Sequence, residues 1–326
     1  MFSNQLKNRF ISDYNLNMIQ VLQSPYFEYY LDLYEPYNQA RTKWNKLVLL
    51  INEHFNGNEH LFLEEYAKQR DNIITSIEKS ETYKEFNIFD MSAYNGLNVA
   101  FHKLPKSSVY IESNNGKKFI SIDLRKANFQ GLKFHNNELV NNTESYDEFI
   151  ESYLGTNHPL LKYFQESKYS RQVIFGKLNM SRNITIQKSI MESVFESLSD
   201  LMEEYSTVLK YYSFSTDELI IEVLHPSDIP EIIQEMYYLI NNKANVKIQY
   251  YKLELVNFLT SNNSTLSVYL KDNIVPFVDG KEIMCCPTTY FSQVYKLLNE
   301  REIEENDMIF YYEHQLAKFL TPLKIK

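Results

Sequence analysis

Through roughly the first 90 positions, apolar residues recur at the spacing of one helix face. The runs are Leu16-Met18-Ile19-Val21-Leu22, Trp44-Leu47-Val48-Leu50-Ile51, and Leu61-Phe62-Tyr66 through Ile73-Ile74-Ile77. Pro25, Pro36 and the Asn56-Gly57-Asn58 turn interrupt them. From about residue 107 the period shortens to that of strands. Val109–Glu112 and Phe119–Asp123 are β-type runs, and Asn114-Asn115-Gly116 between them predicts a hairpin. Helices are expected at Tyr146–Leu154, Leu160–Phe164 and Ile184 to about Tyr205. A strand pair follows at Val208–Phe214 and Leu219–Leu224, turning at Ser215-Thr216-Asp217-Glu218. Ser227 reads as an N-cap with Pro230 in the first turn, opening a helix to about Asn241. Val246–Phe258 and Leu266–Leu270 read as strands, and two helices are expected at about 288–300 and 307–320.

This order predicts an α+β chain: a helical N-terminal region over 1–100, an α+β core with an antiparallel sheet and packed helices over 101–270, and a mostly helical region over 271–326. Composition narrows the class. With 44% hydrophobic and 15% aromatic residues in 326, the chain can bury a large core, and global disorder is excluded. The opening MFSNQLKNRFISDYN lacks an apolar h-region, and no run is long enough for a membrane span, so a cytoplasmic, membrane-free protein is expected. Cys285 and Cys286 are adjacent, which excludes a disulfide framework and a CxxC zinc pair; beside Ile283 and Met284 they read as buried small hydrophobes. Abundant Tyr, Phe, Asn, Ile and Lys with few Gly read as the imprint of an AT-rich genome, viral or from a low-GC bacterium. No GxxxxGK[ST], GxGxxG, HExxH or GxSxG occurs.

Charge changes the picture more. The chain carries a net −9, yet residues 101–190 hold 13 Lys/Arg against 8 Asp/Glu, a net +5 that leaves −14 for the rest. A basic segment in an acidic chain suits a phosphate-backbone groove, or else a solvated surface with uneven Lys usage. Within it, Asp123 ends a strongly β-type run, and Asp217-Glu218 occupies the turn between two others. If those strands are neighbours, carboxylates gather at one sheet edge, where they repel unless a cation lies between them. Hard oxygen ligands of this kind suit Mg²⁺ (or Mn²⁺), which needs only one or two protein carboxylates plus substrate phosphates.

Asp123-Leu124-Arg125-Lys126-Ala127-Asn128-Phe129 resembles the first palm motif of reverse transcriptases. Asn183-Ile184-Thr185-Ile186-Gln187-Lys188-Ser189-Ile190-Met191 resembles the helix under the template and incoming base pair. Phe214-Ser215-Thr216-Asp217-Glu218-Leu219 is similar to the hairpin bearing the second catalytic acid, and Asp-Glu-Leu-Ile-Ile-Glu-Val is more similar still to that motif in family A DNA polymerases. The resemblance spans roughly residues 107–270 and implies a nucleic-acid polymerase palm: a metal-dependent nucleotidyltransferase working on nucleic acid and nucleoside triphosphates through two metal ions. By that resemblance, Asp123 and Asp217 would bind the metals with the Leu124 carbonyl, and Glu218 would assist. Arg125 or Lys126 would meet triphosphate oxygens; Arg171, Lys177 and Arg182 the template or nucleotide; Gln187 the minor groove. Lys252 (or Lys247) would lend a proton to leaving pyrophosphate. At Asn128 reverse transcriptases commonly carry an aromatic residue that excludes a ribose 2′-hydroxyl, so this asparagine bears on sugar selectivity.

Each residue also has a plainer reading. Asp217-Glu218 are favoured turn residues, Asp123 can cap a strand, and Gln187 with Lys188 can be the polar face of an amphipathic helix. The alternative function is a non-enzymatic nucleic-acid-binding or structural protein with a degenerate palm, working with a protein partner.

Overall fold

The structure, a computed structural model, describes residues 2–16, 18–94, 96, 98–225, 228–274 and 280–326. The N-terminal region is helical: α1 (Asn4–Asp13), α2 (Tyr26–Leu33), α3 (Ala40–Phe55), α4 (Glu59–Lys79) and α5 (Glu81–Ile88). Side-chain caps start three of them, with Ser3, Asn58 and Ser80 accepting main-chain N–H groups of the first turns. The Asn56-Gly57 break is present, with both residues at positive φ. The aromatic core of this region gathers on Trp44, which meets Phe2, Phe10 and Phe27 edge-on.

Strand β1 (Lys118–Leu124) leads through α6 (Ala127–His135), α7 (Tyr146–Leu154), α8 (Leu161–Glu166), α9 (Lys168–Gly176), α10 (Met180–Ser197) and α11 (Ser199–Glu204). The β2 (Leu209–Phe214) and β3 (Glu218–Val223) hairpin follows, then α12 (Ile229–Ile240) and β4 (Val246–Leu259). Strands β5 (Thr265–Asn273), β6 (Lys281–Met284) and β9 (Lys324–Ile325) complete a seven-stranded sheet of order β2-β3-β1-β4-β5-β6, with β9 also on β4. All its pairings are antiparallel. The first four strands and their helices make a β-α-β-β-α-β unit with β1 between β3 and β4.

Alternation along the strands splits the sheet into two faces. Ile120, Ile122 and Leu124 share one with Leu219, Ile221, Val223, Val246 and Ile248, all buried in the main core beneath α10 and α12. Phe119 shares the other with Ile220, Tyr251, Leu253 and Tyr269, a small apolar cluster covered by Val109. The chain is thus α+β with a helical N-terminal region and an antiparallel sheet, as the periodicity predicts.

Three expectations are corrected. Residues 109–112 form no strand, because both edges of β1 are already taken; instead Asn114 is buried and donates to the Val109 carbonyl at 2.9 Å and Tyr212 Oη at 2.7 Å. The expected long helix breaks at Leu198, between α10 and α11. The expected helix at 307–320 is a hairpin of β7 (Ile309–Tyr312) and β8 (Gln315–Lys318). Its two-residue turn, Glu313-His314, has φ 47° and 64°, the geometry such turns require, without the Asn or Gly that would announce it. Among the described residues beyond β5 there is therefore one multi-turn helix, α13 (Phe291–Leu298), among strands and single turns. Ser227 lies outside the described residues.

One buried polar knot fixes the N-terminal region to the core. Asp13, fully buried, accepts from Arg9 Nε at 2.8 Å, from Ser167 Oγ at 2.7 Å and from the Tyr163 hydroxyl. The Arg9 guanidinium is held between the rings of Tyr66 and Tyr169, 3.9 and 4.5 Å from their centroids. Removing one member of a buried ion pair strands the other's charge. Asp13→Ala is expected to destabilise by about 3–5 kcal/mol in denaturant titration, and Asp13→Asn, which keeps acceptor oxygen for the hydroxyls, by less.

Candidate functional site

Asp123 lies one residue before the end of β1, where the ladder pairs it with Glu218 of β3 and with Lys247 of β4. Opposed residues of an antiparallel pair share a face, so all three project from the face away from the main core. The β2–β3 turn carries Asp217 past Glu218, and the Leu124 N–H donates to the Asp217 carbonyl at 2.8 Å. Ser215 N–H closes the hairpin onto the Glu218 carbonyl at 2.8 Å. The sequence separation of 94 residues between Asp123 and Asp217 is thereby reduced to adjacent backbones at one sheet edge.

The electrostatics follow from this crowding. Burial, and then the charges of Asp217 and Glu218, push the Asp123 carboxyl up to about 6, against relief from Lys247 and Lys271. Asp217 is raised too, first by burial and then by Glu218. Glu218 is turned along the sheet, accepting from Ser121 Oγ at 2.5 Å. Among the described residues no three His, Cys, Asp or Glu side chains are grouped to hold a metal ion. Two carboxylates and the Leu124 carbonyl remain as a hard-oxygen donor set, within the one or two protein carboxylates that Mg²⁺ ordinarily takes. The residues fit such an ion if substrate phosphate and water complete its shell.

The other expected site residues divide. Arg125 follows the strand with an exposed side chain, and its N–H is fixed to the Asn245 carbonyl at 3.0 Å. Lys126 has φ 50° and an ion pair to Asp147 at 2.7 Å, with its ammonium 5.1 Å from the Tyr146 ring centroid. Arg171 covers that same ring at 5.4 Å, so it is brought beside Lys126. Asn128 and Gln187 meet directly: Gln187 Nε2 donates to Asn128 Oδ1 at 2.9 Å, and Asn183 Nδ2 donates to the Asn128 carbonyl at 2.9 Å. Gly131 makes this helix contact possible, because a Cβ there would lie 1.9 Å from Asn183 Oδ1.

Lys177 is exposed after α9, whereas Arg182 caps the N-terminal region, donating to the Phe86 and Phe89 carbonyls at 3.0 and 2.7 Å. Burial, and then the charge of Arg182, lowers the basicity of His135, at the far end of α6, about 12 Å of helix from Ala127. Lys252 is not at the acidic edge. It pairs with Lys118 at the other end of β1, about 17 Å along the strand, on alternate parity to Lys247, and is bonded to Glu254 at 2.9 Å. Lys247 is the lysine opposite Asp123. Of the cysteines, Cys285 is exposed at φ 60°, contrary to the expected buried pair, and burial pushes the Cys286 thiol up to about 12.

Three site residues had no motif to announce them. Lys271, nearly buried on β5, points its ammonium at Tyr251 (4.7 Å to the centroid) and eases the ionisation of Asp123. Ser121 holds Glu218, and Gln249 bonds Glu282 at 2.9 Å across the same face. A count of strand parity from Asp123 finds Ser121; the others require the strand pairing itself.

Comparison with family models, with curated proteins and with solved structures finds no match to this chain.

The raised Asp123 carboxyl has a definite sign in stability. Between its ordinary value of 3.8 and about 6, the folded chain keeps a proton that the unfolded chain has lost. Stability therefore falls as pH rises through that window and is flat above it. Asp123→Asn removes the loss. After discounting for solvent screening, the variant is expected to exceed the wild type by about 1 kcal/mol at pH 7 and to match it near pH 3.5, as followed by thermal melts.

Proposed function

We propose that this chain is a metal-dependent nucleotidyltransferase acting on nucleic acid, with Asp123 and Asp217 as its metal-bearing pair. The observation that carries the reading is the convergence of these two carboxylates at one sheet edge, joined through the Leu124 N–H to Asp217 carbonyl bond, with their repulsion uncompensated by a direct ion pair among the described residues. The β-α-β-β-α-β order supports it, since the resemblance to polymerase palms requires the β1 end and the hairpin turn to be neighbours. So does the contact between Gln187 and Asn128, which joins the second similar segment to the first.

Asp123, Asp217 and the Leu124 carbonyl would hold Mg²⁺ or Mn²⁺, which supplies activation of an attacking hydroxyl and stabilisation of a leaving oxygen in phosphoryl transfer. The chain's own residues do the remaining work. Exposed Arg125 is free to meet triphosphate oxygens. Lys126 is available only if its bond to Asp147 opens. Lys247, opposite Asp123 and 3.9 Å from Glu282, would take the role expected of Lys252 and lend a proton to a departing phosphate.

A second reading is a palm-like protein that binds nucleic acid or a protein partner without catalysis. It is favoured by the engagement of Lys126, Arg182 and Glu218 in structural bonds and by the absence, among the described residues, of a three-ligand metal group. Primer extension on RNA and DNA templates with Mg²⁺ or Mn²⁺ separates the two. Asp123→Asn and Asp217→Asn are each expected to lower the rate at least about a hundredfold; extension that persists in both variants removes the catalytic assignment. Millimolar Mg²⁺ or Mn²⁺ is expected to raise the melting temperature of the wild type through preferential binding to the native state. An unchanged melting temperature counts against a metal site.

A further inference from the structure

Beside the acidic edge, on the hairpin side away from Arg125, lies a cleft of about 390 Å³ between the 106–110 segment and β2–β3. Its polar lining comes from three separate parts of the chain. Lys106, Ser107 and Ser108 precede β1, Lys188 comes from α10, and Ser213, Ser215 and Thr216 belong to the hairpin. Tyr110 and Phe214 supply aromatic walls, and the Lys106 ammonium lies 5.8 Å from the Phe214 ring centroid. Among the described residues neither Lys106 nor Lys188 forms an ion pair, whereas Lys126 and Lys247 do. The one acid in the lining, Glu218, has an oxygen committed to the Ser121 hydroxyl.

Two unpaired ammonium groups, five hydroxyls (that of Ser215 already bonded to Asp217) and two rings around one cleft are donors and stacking surfaces in excess of its one lining carboxylate, Glu218. A phosphate ester on an aromatic base has the complementary chemistry, accepting from lysines and hydroxyls while its ring lies on tyrosine or phenylalanine. The volume falls in the range of small-molecule sites. We propose that this cleft is a binding site for a nucleoside phosphate, free or as the end of a strand, held by Lys106 and Lys188. The proposal concerns binding alone and stands whether or not Asp123 and Asp217 catalyse anything.

The test is fluorescence anisotropy with a 5′-fluorescein hexadeoxythymidylate, competed by adenosine 5′-monophosphate, at fixed ionic strength and without divalent ions. Lys106→Gln and Lys188→Gln are each expected to weaken binding about tenfold, and the double variant further. Lys106→Arg with Lys188→Arg is expected to restore most of it. Asp123→Asn, which abolishes the proposed catalysis, is expected to leave binding intact, so failure of the catalytic reading and failure of this site are told apart. Competition by the mononucleotide assigns the cleft to a free nucleotide, and binding of the oligonucleotide without such competition assigns it to a strand end. Wild-type affinity in the folded double variant, verified by circular dichroism, overturns the proposal, as does a wild type that binds neither probe saturably.

Discussion

The arrangement depends on one main-chain hydrogen bond, from the Leu124 N–H to the Asp217 carbonyl. It extends the β1–β3 ladder one step past the Asp123–Glu218 pair and thereby brings Asp217 and Glu218 near enough for their charges to act on the partly desolvated Asp123 carboxyl. Such a bond forms only because β1 is the central strand, flanked by β3 and β4, with a face of Ile120, Ile122 and Leu124 that must be buried. Hydrophobic burial of one face thus imposes electrostatic strain on the other.

That strain is contained by neighbours on the same face. Lys247 stands opposite Asp123, Lys271 approaches from β5, and the Ser121 hydroxyl holds Glu218. None of these neutralises Asp123 by a direct ion pair. The edge is left electronegative in a chain segment that is otherwise basic, which is the combination a cation and a polyanion together would satisfy. Structural bonds consume some of the nearby cations: Lys126 in its ion pair with Asp147, and Arg182 in its bonds to main-chain carbonyls.

Much of this was legible in the linear chain. The alternating runs 119–123, 208–224 and 246–258 specified their strands, because buried positions there mostly take β-branched, aromatic or leucine side chains. Asp123 and Asp217 could be named from their positions at strand ends. Partnership was less legible. That Lys247 rather than Lys252 meets Asp123 is a matter of register and parity, and parity is invisible until the strand pairing is known. Residues 109–112 have strand composition, but β1, the strand they would join, has no free edge. The 309–318 hairpin was hidden because Glu313 and His314 adopt positive φ without the usual turn residues. Lys271 and the 106–110 wall of the cleft come from segments whose local pattern says nothing of what lies across from them.

Strand β4 has a further consequence through its length. Its first half, from Val246, lies against β1 beside the acids, while its second half pairs with β5 and, at Phe258 and Leu259, with β9 near the chain's end. A division of the chain at residue 270 would cut through β5 and strip β6 and β9 from the same sheet. The last fifty residues are therefore scaffold for the acidic edge rather than an appendage, and a shortened version would expose a raw strand margin prone to self-association.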